Sequence, residues 1–205
     1  MKKVMTSRRA CLALAASPLL PRPAHAGMQA EEPLANAVRS ALSAAVARAA
    51  PPKPSFERIE ARLAHLQWLG AMSDRLMRRE PDPHRRVEFL ETLWYESTRA
   101  GLQPALVLGL VQVESGFRKY AVSPAGARGY MQVMPFWARL LGDGDAGKLF
   151  HMQTNLRFGC VILRHYLDIE RGDLFLALGR YNGSRGRPEY PNAVLGSRRQ
   201  WLVAV

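Results

Sequence analysis

The stretch PALVLGLVQVE, Pro104 to Glu114, is apolar on nearly every side of the helix its composition favours. A helix without a polar face has to be surrounded, so other elements must pack around these residues in any fold the chain adopts. Pro104 suits a first helical turn, where the N–H it lacks would have had no partner. The run ends on a carboxylate, Glu114, and Gly116 lets the chain turn sharply behind it. In a last helical turn, the negative end of the helix dipole and apolar neighbours both disfavour the ionised form, which predicts a raised pKa. A carboxyl that stays protonated near neutrality can give its proton to a leaving oxygen. A glutamate paired with a surface arginine is the competing reading of the same residue.

Helical spacing continues on both sides. Ile59, Leu63, Leu66, Leu69, Met72 and Leu76 fall at steps of three and four within Phe56 to Arg79, predicting one buried helix face. Arg85 to Arg99 gives a second helix with Val87, Leu90, Leu93 and Trp94 inward, closed by Gly101. MPFWARLLG supplies a short helix, and Asp143 to Lys148 reads as a loop. Thr154 is positioned to cap a helix running to about Glu170, and Asp173 to cap one running through Tyr181. A last helix spans about Pro191 to Trp201. Strand signals are almost absent, so the expected fold is a compact all-α domain with at most a small β element near Arg128 to Val133.

The N-terminus has a basic segment (Lys2, Lys3, Arg8, Arg9), a short apolar run from Ala10 to Leu20, and Ala24-His25-Ala26, the pattern of an export leader cleaved after Ala26. The apolar run is too short to span a bilayer. The twin-arginine pattern is matched only in part, because Cys11 stands where a larger apolar residue is usual, and general export is favoured. Residues 27–55, alanine-rich and then broken by APPKPS, read as a solvated extension with a peripheral helix and linker, and residues 56–205 as one domain. Removing the leader takes 26 of 205 residues, five of the 29 basic groups and no acid. That leaves 24 basic against 17 acidic groups, a formal charge of +7. An exported basic protein meets acidic polymers and anionic membranes more readily than nucleic acid, and the scattered arginines form no nucleic-acid motif. Cys160 is then the only cysteine, placed in an apolar helical pattern as a buried, inert thiol. Neither C-x-x-C nor H-E-x-x-H occurs, and no metal or other cofactor is expected.

The residues after Glu114 sharpen the picture. ESGFRKYAVSPAGARGYMQVMP, NLRFGCVILRHYL and LALGRYNGSRG occur in that order between about Leu102 and Leu195. They resemble the soluble lytic transglycosylase family of the goose-type lysozyme superfamily. The resemblance implies a lysozyme-like fold, peptidoglycan glycan strands as substrate, and cleavage of the bond between N-acetylmuramic acid and N-acetylglucosamine with a 1,6-anhydro product. It implies Glu114 as the single acid and base, and Ser123, Met131, Gln132, Met134 and Asn182 as substrate-binding residues. By the same match Tyr181 binds in the cleft, its hydroxyl helping to position the acid. Tyr130, Phe136-Trp137 and Gly183-Ser184-Arg185 depart from the family pattern, which bears on substrate preference. The expected protein is an exported, periplasmic or envelope monomer without a transmembrane segment once mature, open to a secretion or wall-synthesis complex as a further partner. Two alternatives remain at this stage. One is a hydrolytic muramidase recruiting Asp143, Asp145 or Glu96 to activate water; the other is a non-catalytic module that binds peptidoglycan.

Overall fold

The computed structural model describes residues 29–47 and 56–203; the leader read at 1–26 lies outside them. Among the described residues, eight α-helices and one 3-10 helix follow in order: α1 (Asn36–Ala47), α2 (Ile59–Leu76), α3 (Pro83–Arg99), α4 (Pro104–Glu114), α5 (Pro135–Leu141), the 3-10 helix (Ala146–Phe150), α6 (Met152–Ile169), α7 (Leu174–Asn182) and α8 (Glu189–Arg199). The all-α expectation holds, and the β element reduces to isolated antiparallel bridges, Val122 with Arg128 and Arg128 with Val133.

The apolar stretch becomes α4 and is surrounded as its composition requires: Ala105 through Val111 are all buried. α8 crosses it most closely, at Gly109, where an added Cβ would stand 2.7 Å from the Arg198 amide nitrogen and 3.0 Å from the Val194 carbonyl oxygen. α3 approaches α4 through a Schellman close, in which Gly101 at φ +66 lets the Leu102 amide reach the Ser97 carbonyl at 2.8 Å. α6 lies against α1, α3 and α7. The core draws on every described helix but α1, and on the loop between α4 and α5.

Several local expectations are corrected. In α2 only Met72 and Leu76 of the apolar series are buried, while Ile59, Leu63 and Leu66 are half exposed or more. These three lie on a different side of the helix from the buried His65, Met72 and Leu76, and His65, in the same half of α2, meets Trp94 of α3 with ring centroids 4.5 Å apart. Phe89, rather than Val87 and Trp94, joins Leu90 and Leu93 in the core. α6 begins at Met152, and Thr154 caps nothing. Part of the expected loop 143–148 winds into the 3-10 helix, with the Asp145 carboxylate accepting from the Gly147 amide. Asp173 does cap α7, accepting from the Leu176 amide at 2.9 Å.

Residues 29–47 of the extension pack on the domain, although α1 buries no residue completely. Leu34, Leu42 and Val46 pack against the core, and two arginines hold the C-terminal carbonyls of α1: Arg99 donates to Ala45 at 2.7 Å and Arg157 to Val46 at 3.1 Å. Cations at a helix C-terminus meet the negative end of its dipole. Both arginines are fixed by the wholly buried Glu96, at 2.9 Å each.

Candidate active site

Glu114 is the last residue of α4 and is buried. Behind it the chain reverses through two consecutive left-handed residues, Gly116 at φ +58 and Phe117 at φ +68. A left-handed aromatic costs about a kcal/mol or more. Phe117 is held there by its packing, with ring centroids 5.3 Å from Trp201 and 5.8 Å from Phe89. Ser115 ties the helix end to the next loop, donating to the Tyr130 carbonyl at 2.8 Å.

That loop, Arg118 to Met134, is locked from inside by Asn155 of α6. Its oxygen accepts from the Met131 amide at 2.8 Å, and its nitrogen donates to the carbonyls of Arg128 (2.8 Å) and Leu149 (2.7 Å). Gln132 takes a left-handed conformation, φ +48, and turns its amide nitrogen onto the carbonyls of Gly129 (2.9 Å) and Ala121 (3.1 Å).

The carboxyl of Glu114 meets one donor: the Tyr190 hydroxyl, from the first turn of α8, reaches Oε1 at 2.5 Å. Among the described residues, Oε2 is buried with no hydrogen-bond partner. Burial pushes the carboxyl up from 4.5 to about 8, against the opposing effect of the Tyr190 bond. The group therefore holds its proton at neutrality, and its second oxygen is free to present that proton.

The residues singled out from the sequence are brought together only in part. Tyr181 of α7 is fully buried and within the field of Glu114, but its hydroxyl donates to the Met131 carbonyl at 2.7 Å and not to the acid. The hydroxyl that meets the carboxyl is that of Tyr190. Asn182 is buried at the end of α7. Met131 is a core residue, fully buried against Gly159, whose missing side chain makes room for the Met131 sulfur. Met134 is half-buried at the start of α5. The Ser123 hydroxyl accepts from the Ala127 amide at 3.1 Å, the bond of a turn residue. No local signal marked Tyr190, since it reaches Glu114 across 76 residues of sequence.

Two of the carboxylates weighed as water activators are otherwise engaged. Glu96 is sealed between Arg99 and Arg157, and Asp143 is paired with Lys148. Cys160 is fully buried, which pushes its thiol far above the usual range. Among the described residues, no group of three or more His, Cys, Asp or Glu could hold a metal ion, and no helix is long and apolar enough to cross a membrane. Cavities of about 460 and 540 Å3 lie where α1 meets the body, and one of about 600 Å3 lies between α2 and Trp201; Glu114 lines none of the three.

Comparison with known proteins assigns the helical domain to a family. The transglycosylase SLT domain matches residues 92–201, and the chain belongs to that family. It is similar to a transglycosylase of Enterobacteria phage PRD1, 35% identical over 104 residues, covering 51% of this chain and 38% of the relative. It is also similar to membrane-bound lytic murein transglycosylase C of Actinobacillus pleuropneumoniae, 37% identical over 87 residues, covering 38% of this chain and 24% of the relative. Among solved structures, an inactive mutant of the lytic transglycosylase Slt from Pseudomonas aeruginosa aligns with a TM-score of 0.44 at 23% identity, over 69% of this chain and 27% of that one. The chain thus spans between a quarter and two fifths of the length of these relatives.

Proposed function

We propose that this protein is a peptidoglycan lytic transglycosylase that cleaves the β-1,4 bond between N-acetylmuramic acid and N-acetylglucosamine, leaving 1,6-anhydro ends. The observation that carries the reading is the protonated Glu114 with one unpartnered oxygen. Family membership supports the class of reaction.

Glycoside hydrolysis ordinarily uses two carboxylates, one as acid and one as nucleophile or base. Here Glu96 and Asp143 are held by cations, which favours a route needing one carboxyl. Glu114 gives its proton to the bridging oxygen as the C1–O bond breaks, and the acetamido oxygen of the muramic residue bonds to C1. The ionised Glu114 then takes the proton of the same sugar's C6 hydroxyl. That oxygen displaces the acetamido oxygen at C1, closing the anhydro ring and restoring the acid. An intramolecular nucleophile already in place substitutes for water. Tyr190 orients the carboxyl. Gln132, on the loop that Ser123 shapes, and Asn182, at the end of α7, are the polar residues expected to meet the sugar.

With this activity goes an envelope location after export, using the leader at 1–26. Mass spectrometry of sacculi digested by the mature protein tests the reading. Anhydro-muramic products that disappear with Glu114→Gln support it; reducing ends would make the protein a muramidase, and binding without products a non-catalytic module.

A further inference from the structure

The loop between α4 and α5 carries a second surface. Among the described residues, Tyr120 and Val122 are the two most exposed large apolar side chains, at 72% and 60%. The Tyr120 ring is paired with that of Phe150 at the end of the 3-10 helix, centroid to centroid 5.9 Å. Each ring has a cation over it. Lys119 Nζ stands 5.3 Å from the Tyr120 centroid, and the Arg128 guanidinium carbon 5.5 Å from that of Phe150. Among the described residues no carboxylate pairs with either cation. The backbone fixes the two segments to each other: Asn155 of α6 donates both to the Arg128 carbonyl and to that of Leu149, the residue before Phe150. It also fixes them to the site. Ala121, next to Tyr120, accepts from the Gln132 side-chain amide at 3.1 Å and from the Gly129 amide at 2.9 Å, and Val122 bridges to Arg128. Two exposed rings with two unpaired cations, set beside Gln132 and Ser123, suit a ligand that is both acidic and partly apolar: ring faces take C–H surface, and the cations take carboxylates. In the sugar strand itself the only acid is the lactyl group of muramic acid, and from it hangs a peptide stem with further free carboxylates.

We propose that Lys119, Tyr120, Arg128 and Phe150 form a subsite for the acidic peptide stem of the substrate, Lys119 and Arg128 meeting its carboxylates and the two rings its aliphatic surface. The inference rests on reading peptidoglycan as the substrate. It makes this loop the part of the site that senses how the glycan is substituted. A bare sugar chain would use the rings and leave both positive charges unanswered; a substituted one uses all four groups. Because the rings and the backbone already order the two cations, little freedom is lost when a carboxylate arrives.

Binding tests this in the mature Glu114→Gln chain, which has no acid to deliver, against soluble glycan strands of three kinds: stems intact, stem carboxyls converted to amides, and stems removed. Intact strands should bind about tenfold more tightly than either of the others at low salt, and the advantage should shrink as salt rises. Adding Lys119→Gln and Arg128→Gln together should bring the ratio to within about twofold. Removing two exposed arginines elsewhere, Arg62→Gln with Arg78→Gln, should leave it about tenfold, which separates a local contact from bulk charge. Equal affinity for intact and amidated strands, or an equal loss from the Arg62 and Arg78 substitutions, overturns the proposal. So does a Tyr120→Ala variant that weakens all three strands alike, since the ring would then be stacking on sugar. If the wild type releases no anhydro ends, the proposed function fails by itself, and the binding ratios, read without turnover, still decide the stem subsite.

Discussion

The protonated state of Glu114 has a consequence for stability that can be measured without substrate. The carboxyl titrates near 8 in the folded chain against an ordinary value of 4.5. Between these values the unfolded chain has released a proton that the folded chain keeps. Folding is therefore penalised progressively as pH rises through that window, by about 1.4 kcal/mol per pH unit. Below about pH 4.5 the penalty is absent, and above about pH 8 it is complete. At neutral pH it has accumulated to about 3 kcal/mol, a large share of the stability of an ordinary domain. Glu114→Gln keeps an acceptor for Tyr190 and cannot ionise. Urea unfolding of both proteins should show a stability difference, variant minus wild type, that grows with pH by about 1.4 kcal/mol per unit between roughly pH 5 and pH 7.5. A difference that stays flat over that range would mean that Glu114 ionises at the usual carboxylate value, and the argument for a stored proton would be lost.

Two further outcomes follow from the same geometry. Tyr190→Phe removes the bond that lowers the Glu114 pKa, so the alkaline limb of the pH–kcat profile should move upward, while kcat itself falls several-fold through lost orientation, as steady-state rates across pH would show. Asn155→Ala breaks three hydrogen bonds, two of them buried, that tie the loop and the 3-10 helix to α6; thermal or urea unfolding should register a loss of about 3 kcal/mol or more.

What the sequence made legible followed from composition and from ordered blocks. α4 had to be central because no face of it could bear water, and Glu114 was conspicuous as the only charge in that run. The misjudged parts depended on contacts that leave no periodic trace. Ile59, Leu63 and Leu66 keep steps of three and four, yet the series drifts round the helix, away from the side that buries His65, Met72 and Leu76. The alanine-rich α1 looked too poor in large side chains to dock; its attachment comes from Arg99 and Arg157 on its carbonyls, a bond to backbone that no residue of α1 announces. The burial of Met131, which the sequence left equally open to cleft wall or core, comes from Gly159, more than twenty residues on, which opens the space its side chain fills. Tyr190 escaped because its meaning lies wholly in where α8 crosses α4.

That crossing is set by a hydrogen atom. At Gly109 the two backbones nearly touch, and even a methyl group would press on α8 at Val194 and Arg198. The same helix carries Tyr190 on the opposite side of this fulcrum, so forcing the rods apart there would swing the phenol off its carboxyl without altering a single residue of the cleft. Sensitivity of turnover to bulk at a position that never meets sugar would be the mechanical signature of this lever.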